Sequence, residues 1–425
     1  MNNPTPLRDW IAEYAATADT LDPDAPLDDL EPLRDMIGNA RVVGIGESAH
    51  HMREFYRLRH RLLRFLVERC GFNVYAFEAA VLESRTVDAW TAGGPGTVEE
   101  AAAATTGTGL ARCQDMHRTL TWLREYNRGA ARPVRFAGIL PGDDRTSPLG
   151  ELSEVASYLE RHDPEALPLA RSAIKAASHY PDPSIVKTLT AYEEMGDAAR
   201  DALTAALSRL QLRFESMSAH QRAQGNQRSH AEAMAHLRRA WHIDHFTRDM
   251  TGHGLPVGPT NLDNAMAETV IGLLQANGPD TRVVLGLHNV HLRRTATAAD
   301  AAAGRFPAGY HLAQALGDEY AAIAATSGDG SAVRSELDPE EPEGFAFSIR
   351  PLQIPPDDSV ETAFTGPAPL TIANLREART ATGDAGSFTK LRMEDYFADS
   401  PVLDDYDMVA YLPTAEPTEY PFAEA

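Results

Sequence analysis

Short apolar runs recur along the chain, and stretches with helical periodicity separate them. Six of the runs have the length and the β-branched and aromatic content of buried strands. They cover residues 42–46, 73–78, 134–139, 282–287, 320–326 and 408–412. Because helical patterns alternate with these runs, the sequence predicts an α/β fold in which a mostly parallel sheet is flanked by helices. A further run at 345–352 is typical of an edge strand, although the surrounding segment 327–386 is rich in loop-forming residues.

Residues 148–247 contain no strand-like run and are rich in Ala, Leu, Arg and Glu. Amphipathic spacing in this stretch predicts several helices. We therefore expect an inserted all-helical subdomain at 148–247 and an α/β core domain formed by 1–147 and 248–425.

Composition excludes several classes of partner. The hydrophobic fraction of 43% and the charged fraction of 24% are typical of a globular protein, and the net charge of −22 argues against nucleic acid or an anionic membrane as the main partner. The only cysteines, Cys70 and Cys113, cannot form a disulfide framework. The chain shows no secretion-signal pattern and no apolar run of membrane-spanning length, so we expect a cytoplasmic protein. The sequence does not indicate the oligomeric state.

Titratable side chains follow three of the predicted strands. Glu47 and His50 come directly after the first run, Glu78 ends the second and His288 follows the fourth. Because the carboxyl ends of parallel strands meet at one edge of a sheet, we expect these side chains to share a crevice. A Glu–His pair supports acid–base chemistry, and a second carboxylate nearby shifts pKa values. Taken singly, each residue has a structural alternative, as a helix cap or a hydrogen-bonded histidine.

An arginine lies within the apolar stripe of the helix predicted after His50. The stripe comprises Phe55, Leu58, Leu62, Leu63 and Leu66. A charged group on a core-facing stripe is costly unless it is paired, so we expect Arg59 to pair with a carboxylate at the strand ends. The alternative is that Arg59 reaches the surface at the rim of the stripe. We expect Arg57, Arg61 and Arg64, on the other faces, to point toward solvent.

These motifs together resemble the erythromycin esterase family. The resemblance begins with Gly-Glu-Ser-Ala-His at 46–50 and Arg-Glu-Phe…Leu-Arg-His-Arg-Leu-Leu at 53–63, and continues with Phe-Asn-Val-Tyr-Ala-Phe-Glu at 72–78. Asn-Ala-Met-Ala-Glu at 264–268, His-Asn-Val-His at 288–291 and the terminal strand at 405–413 also match. The matching motifs occur in the same order over nearly the whole chain, except in the helical middle.

The resemblance implies a helical subdomain that caps an active-site cleft, and hydrolysis of a macrolide lactone. It implies that His50 is the general base that activates water without a required metal, and that Glu47, Arg59, Glu78 and His288 line the site. We expect substrate contacts from neighbouring motif residues, namely His51, Asn289, His291, Asp263 and Met266. The expected partner is a small-molecule or natural-product substrate, and no cofactor is expected.

The chain departs from the family pattern around this centre. Leu262 precedes Asp263 where relatives tend to have Arg, and Gly286 replaces a common Trp. The strand at 134–139 is followed by Leu140-Pro141 where relatives often have Asp, although Asp143 and Asp144 follow. These departures predict remodelled pocket contacts and leave the substrate open between a macrolide-like compound and another natural product.

In the expected mechanism, neutral His50 takes a proton from water while Glu47 or Glu78 orients its ring, and Arg59 or His288 stabilises the oxyanion. A Ser48 nucleophile is disfavoured because the chain has no Gly-x-Ser-x-Gly motif.

Alternatives remain open at the level of sequence. Glu47, His50, Glu78 and His288 form a plausible ligand set for a divalent metal. We expect His242, His245 and His253, clustered at the end of the helical insertion, to belong to a solvated or hydrogen-bonded loop or else to line the cleft from above. A biosynthetic tailoring enzyme would use the same site for cyclisation, elimination or acyl transfer. A binding protein would keep the pocket without the chemistry.

Overall fold

The computed structural model describes residues 7–105, 109–142, 147–254, 262–383 and 386–419. The strands, numbered in chain order, are β1 (Ala16–Ala18), β2 (Val42–Ile45), β3 (Val74–Ala80), β4 (Arg135–Leu140), β5 (Val283–Gly286), β6 (Tyr320–Leu337), β7 (Phe345–Pro351), β8 (Leu370–Asn374), β9 (Lys390–Met393), β10 (Tyr396–Asp399) and β11 (Met408–Ala415).

One mixed sheet of nine strands organises the described part of the chain. Its order is β1-β8-β11-β6-β2-β5-β3-β4, with β7 paired to the distal part of β6. The six strands from β11 to β4 are mutually parallel, whereas β8, β1 and β7 pair antiparallel. Strands β9 and β10 form a separate antiparallel hairpin. The carboxyl ends of β2, β5 and β3 therefore lie side by side, where an α/β sheet forms its ligand crevice.

All six predicted strands are confirmed as the parallel members of this sheet, and the predicted edge strand is confirmed as β7. Strand β6 extends to Leu337, well beyond the predicted run, because its distal part pairs with β7. The sequence analysis did not identify β1, β8, β9 and β10. These strands have only three to five residues each, too few for a distinct apolar run: β1 is the edge strand, β8 lies between β1 and β11, and β9 and β10 form the hairpin.

The helices flank the sheet and fill the region between β4 and β5. They are α1 (Leu7–Tyr14), α2 (Pro32–Ile37), α3 (Arg53–Cys70), α4 (Ser84–Thr91), α5 (Val98–Ala103), α6 (Gln114–Gly129), α7 (Leu149–His162), α8 (Leu167–Ala177), α9 (Ile185–Glu194), α10 (Asp197–Ala223), α11 (Gln227–Met250), α12 (Leu262–Ala276), α13 (Asn289–Leu292), α14 (Ala298–Ala302), α15 (Ala308–Leu316), α16 (Leu375–Thr382) and α17 (Val402–Asp405). None of the described helices combines the length and apolarity that a membrane crossing requires.

Alternate residues of each central strand enter different cores. In β2, Val43 packs with α3 and α6 on one face, whereas Val42 packs with α12 and α15 on the other. Both faces are covered, which explains why the central strands are continuously apolar. Helices α7, α8, α10 and α11 enclose a third apolar core of their own. The last of them continues to Met250, three residues beyond the boundary expected at 247.

One arginine of α3 differs from the expectation. Arg61 is fully buried, donates to the carbonyl oxygens of Thr20 (3.2 Å) and Pro26 (2.8 Å), and pairs with Asp29. The expectation of a solvent-facing Arg61 is wrong because segment 20–29 folds back across this face of the helix. The same segment covers Arg64, which donates to a carbonyl oxygen within it.

Candidate active site

The segment after β2 turns sharply because Gly46 allows a close approach. Its N–H donates to the carbonyl oxygen of Ile323 on β6 at 2.9 Å. A Cβ at Gly46 would lie 1.9 Å from Oδ1 of Asn289. The Asn289 amide is itself fixed, since it donates to the carbonyl oxygen of Ala325 (2.8 Å) and accepts from its N–H (3.0 Å). The next residue, Glu47, is thereby held at the carboxyl edge of the sheet.

Glu47 is a buried carboxylate with two charged or polar neighbours. Oε1 accepts a hydrogen bond from Nδ1 of His50 at 2.7 Å, and Oε2 pairs with Nη2 of Arg59 at 2.9 Å. Burial alone would raise the pKa of Glu47, but the charge of Arg59 and the hydrogen bond from His50 lower it to about 2. Glu47 is therefore ionised at neutral pH. The expected pairing of Arg59 with a strand-end carboxylate is confirmed.

His50 is the titratable group of this pair that reaches solvent, with a side chain 28% exposed. Because Nδ1 is directed at Glu47, Nε2 is the nitrogen left for a reactant, and it makes no hydrogen bond with any described residue. Burial lowers the pKa of His50, but the hydrogen bond to Glu47 and the negative charges of Glu78 and Glu47 outweigh it, and the pKa rises to about 9.

Glu78 and His288 complete the group that the sequence analysis predicted. Oε2 of Glu78 accepts the backbone N–H of His288 at 2.9 Å. The imidazole of His288 lies 5.1 Å from that of His50 between ring centres. Its Nε2 donates to the carbonyl oxygen of Ser48 (3.1 Å), and its Nδ1 accepts the N–H of Val290 (3.2 Å). Burial, reinforced by the charge of His50, lowers the pKa of His288 to about 3, so the ring is neutral.

A second histidine–carboxylate pair lies beside the first. Nδ1 of His291 donates to Oδ1 of Asp263 at 2.7 Å, and the same oxygen accepts the N–H of Ala308 at 2.8 Å. Burial lowers the pKa of His291, but Asp263 and, more weakly, Glu78 outweigh it, and the pKa rises to about 8. The side chain is 22% exposed. Two partly exposed imidazoles, each oriented by a carboxylate, therefore lie near Glu78.

Comparison with known proteins connects this geometry to one family. The family model for erythromycin esterases matches residues 67–415, which is most of the chain. The chain belongs to the erythromycin esterase family. The family assignment makes it an esterase-type hydrolase.

Two curated erythromycin esterases from Escherichia coli are similar over most of their length. The type II enzyme is 30% identical over 371 residues, which cover 85% of this chain and 86% of that enzyme. The type I enzyme is 28% identical over 345 residues, covering 78% and 81% of the two chains.

Solved structures of low sequence identity share the fold. A mutant of the erythromycin esterase EreC in its open conformation matches with a TM-score of 0.83 at 22% identity, covering 95% of this chain and 98% of that chain. A succinoglycan biosynthesis protein matches with a TM-score of 0.74 at 18% identity, covering 97% of each chain. The mixed α/β architecture is therefore that of the erythromycin esterase fold.

The five residues that were expected to contact substrate do not share one environment in this structure. His291 and Asp263 form the second pair described above. Asn289 is buried and joins α13 to β6, and His51 is buried with its ring centre 5.4 Å from that of Phe347. Met266 is fully buried in the core between α12 and the sheet, so the structure does not bring it to the site. Its apolar side chain follows the helical stripe that packs on β4.

A carboxylate that the sequence analysis missed also approaches the site. The backbone N–H of Glu394, in the turn between β9 and β10, donates to the carbonyl oxygen of Ser48 at 2.7 Å. Within the described residues, Glu394 (φ 51°) and His51 (φ 60°) are the non-glycine residues with positive φ. Both flank the segment that carries Glu47 and His50, and strained residues of this kind cluster at functional sites. No local pattern in the sequence marks Glu394.

Glu47, His50 and Glu78 are close enough to hold a metal ion, since one possible ligand atom from each lies within 4.8 Å of the others. Both oxygens of Glu47 already have partners, however, and His50 directs Nδ1 at one of them. A cation bound among all three would compete with Arg59 for the same carboxylate.

Of the three histidines near the end of the helical region, two lie in a helix, so the expectation of a loop is wrong for them. His242 and His245 belong to α11; His242 is buried with Nε2 3.6 Å from Oε2 of Glu268, and His245 packs on Trp241 with ring centres 4.1 Å apart. His253 follows the helix. Asp143 and Asp144 lie outside the described residues.

Proposed function

We propose that this protein opens an ester or lactone bond of a natural product of the macrolide kind by direct attack of water. The observation that carries the proposal is the Glu47–His50 pair, in which a buried, ionised carboxylate holds Nδ1 and leaves Nε2 of His50 facing the cleft. This is the arrangement of a general base in hydrolytic enzymes.

In the proposed reaction, Nε2 of neutral His50 accepts a proton from the attacking water. The imidazolium that forms is stabilised by Glu47, whose own charge is balanced by Arg59. Because the pKa of His50 is about 9, only about one molecule in a hundred carries the neutral base at pH 7 in the free enzyme. The pair is therefore a strong base that is present at low population.

The sequence suggested Arg59 or His288 for stabilisation of the oxyanion. We propose His291 for this role instead. Arg59 is buried against Glu47, and both ring nitrogens of His288 are engaged by backbone groups. His291 has a partly exposed ring and a pKa near 8, so at neutral pH it carries a proton. We assign it to hydrogen bonding of the developing oxyanion and to protonation of the leaving alkoxide, with Asp263 fixing its orientation.

We further propose that the reaction needs no metal and that helices α7 to α11 cap the cleft. The engagement of both Glu47 oxygens supports the first point. The second is supported by a cavity of about 340 Å³ that separates the loops after β3 and β4 from the helical region, although the proposed catalytic residues themselves do not line it. Residues 82–83 after β3, 141–142 after β4, 150–151 of α7 and 181–183 line it.

The test is mass spectrometry of erythromycin-type lactones incubated with the protein. We expect a gain of one water, with kcat lowered by about 10²–10⁴ in His50→Ala, the range for loss of a general base. His220→Ala, which removes an exposed histidine on α10, is the matched control and should keep full activity. If the unaltered protein leaves every lactone intact, the substrate class is wrong; if His50→Ala keeps its rate, the assignment of the base is wrong.

A further inference from the structure

The β9–β10 hairpin contacts the segment that carries the catalytic pair. Met393 pairs with Tyr396, so Glu394 and Asp395 form the two-residue turn at its tip. The N–H of Glu394 and Nε2 of His288 both donate to the carbonyl oxygen of Ser48, between Glu47 and His50 in the chain. The tip of the hairpin is thus placed at the edge of the active site.

Arg392 fixes the hairpin in this position. Its buried guanidinium donates to the carbonyl oxygens of Ser327 (2.8 Å), Gly328 (3.0 Å) and Gln353 (3.0 Å), and it stacks over Phe397 at 4.5 Å. These bonds tie β9 to the carboxyl end of the parallel part of β6. These bonds hold the turn in place, so the position of Glu394 relative to His50 is set by the fold.

The carboxyl group of Glu394 has no partner among the described residues. Its neighbour Asp395 pairs with Arg334 at 3.2 Å, whereas the Glu394 side chain forms neither a hydrogen bond nor an ion pair there. Partial burial raises the pKa of Glu394, and the positive charges of Arg334 and His50 counteract part of that rise. A half-buried carboxyl group close enough to sense His50 is thus free to bind a ligand.

The backbone conformation of the turn is one in which a glutamate is unfavourable at position 394. Glu394 has φ 51°, in the left-handed region, at the first position of a two-residue hairpin turn. Glycine adopts this conformation without steric cost and is favoured there. A glutamate is the less stable choice for the turn, so its side chain has a use elsewhere than in folding.

We propose that Glu394 selects substrates that carry a protonated amine, by pairing with that amine while His50 faces the ester. The inference rests on the proposed function for the ester-bearing substrate and adds its charge class. A carboxylate that is partly removed from water forms a stronger ion pair with an ammonium group than an exposed one does. Glu394 is a specificity-determining residue on this assignment.

The test compares the binding of two lactones by calorimetry in a His50→Ala background, which keeps them intact. One is erythromycin, whose sugar amine is protonated at neutral pH, and the other is its N-demethyl-N-acetyl derivative, which is uncharged. We expect Glu394→Gln to weaken binding of erythromycin about tenfold, as for loss of a charge-assisted hydrogen bond, and binding of the derivative less than twofold. Asp399→Asn, at the other end of the same hairpin, should leave both unchanged.

Glu394→Gly separates recognition from folding. It should raise Tm, because it relieves the positive φ, and should weaken erythromycin binding as Glu394→Gln does. Equal binding of the two lactones by the parent, an equal effect of Glu394→Gln on both, or no binding of either would overturn the inference. Charge-selective binding without hydrolysis by the unaltered protein would contradict only the proposed reaction.

Discussion

At the scale of single residues, the site is organised around the charge of Glu47. A buried carboxylate is unfavourable unless hydrogen bonds and an opposite charge compensate it, and Arg59 and His50 supply them on its two oxygens. This arrangement has a consequence for His50, because the same negative charge that orients the ring also holds a proton on it. Orientation and basicity of the His50 ring therefore have one cause.

The pH dependence of the proposed reaction should reveal the raised pKa of His50. In the proposed reaction His50 must be neutral (pKa about 9) and His291 protonated (pKa about 8), so we predict that kcat/KM rises about tenfold per pH unit from pH 6 to pH 8, is highest between pH 8 and pH 9, and falls above about pH 9. Initial rates on a hydrolysed lactone between pH 6 and 10 measure this. A rate that does not rise between pH 6 and pH 8 would contradict His50 as the base, and a rate that does not fall above pH 9 would contradict His291 as the acid.

Glu78 should shift the pH–rate profile along the pH axis, although it is not itself the proposed base. Its negative charge raises the pKa of His50 and of His291, so Glu78→Gln should move the rising limb to lower pH. Glutamine keeps an oxygen that can accept the N–H of His288. The measurement is the pH–rate profile beside that of Asp399→Asn, which should not shift; an unshifted Glu78→Gln profile would show that His50 does not sense this charge.

At the scale of elements, the site depends on how closely α13 approaches the end of β2. Asn289 opens α13 and spans to β6 through both atoms of its amide, and it lies against Gly46. The side chain cannot move aside without breaking those bonds. The close contact joins three strands at the point where Glu47 leaves the sheet.

Replacing Gly46 should therefore be costly. Its Cβ would lie 1.9 Å from Oδ1 of Asn289 and 3.1 Å from the carbonyl oxygen of Ile323, so we predict that Gly46→Ala lowers the free energy of unfolding by about 1–3 kcal/mol. Urea unfolding measures the change. Gly272→Ala is the control, because that glycine lies within α12 with open space around it, and alanine should stabilise the helix by about 0.5–1 kcal/mol. Equal effects of the two changes would contradict the close packing at Gly46.

At the scale of the whole molecule, buried and paired histidines set opposite limits on the pH range of stability. His60 is buried on α3 beside Trp122, and burial together with the charges of Arg64 and Arg118 lowers its pKa to about 3. The pKa of His288 is lowered to a similar value. His50 and His291 have raised pKa values, about 9 and about 8. The two groups respond to pH with opposite sign.

We predict a stability maximum near pH 6.5 from these four histidines. Below the unfolded pKa near 6.5, the unfolded chain takes up protons that folded His60 and His288 do not, so their contribution is lost as pH falls toward 3. The contributions of His50 and His291 are present below that value and are lost as pH rises through 8 and 9. Urea unfolding between pH 5 and pH 10 measures the curve.

A variant isolates one member of this set. His60→Leu removes one buried neutral imidazole, so the slope of unfolding free energy against pH between 5 and 6.5 should decrease by up to about 1.4 kcal/mol per pH unit. His220→Ala, at an exposed position, should leave the slope unchanged. An unchanged slope in His60→Leu would mean that this histidine titrates normally in the folded state.

The sequence by itself determined the parallel strands, the family and the pairing of Arg59. Each follows from the order of neighbouring residues in the chain. Apolar runs mark strands that are buried on both faces, and an arginine inside an apolar stripe requires a partner. Glu47, His50, Glu78 and His288 could be grouped because parallel strands present their carboxyl ends along one edge. How each group is engaged was not accessible in this way, since the bonds of His288 to backbone atoms depend on turns that no pattern specifies.

Only the tertiary structure decided which parts of the chain cover α3, pack on the sheet and approach the site. Arg61 is buried because segment 20–29 returns across α3, and Met266 faces the core because α12 packs its apolar stripe on the sheet. Glu394 reaches Ser48 through a hairpin far along the chain. Such contacts join residues that are distant in sequence, and their energies depend on which surfaces meet. Local periodicity records which residues avoid water, but not which part of the chain excludes the water from them.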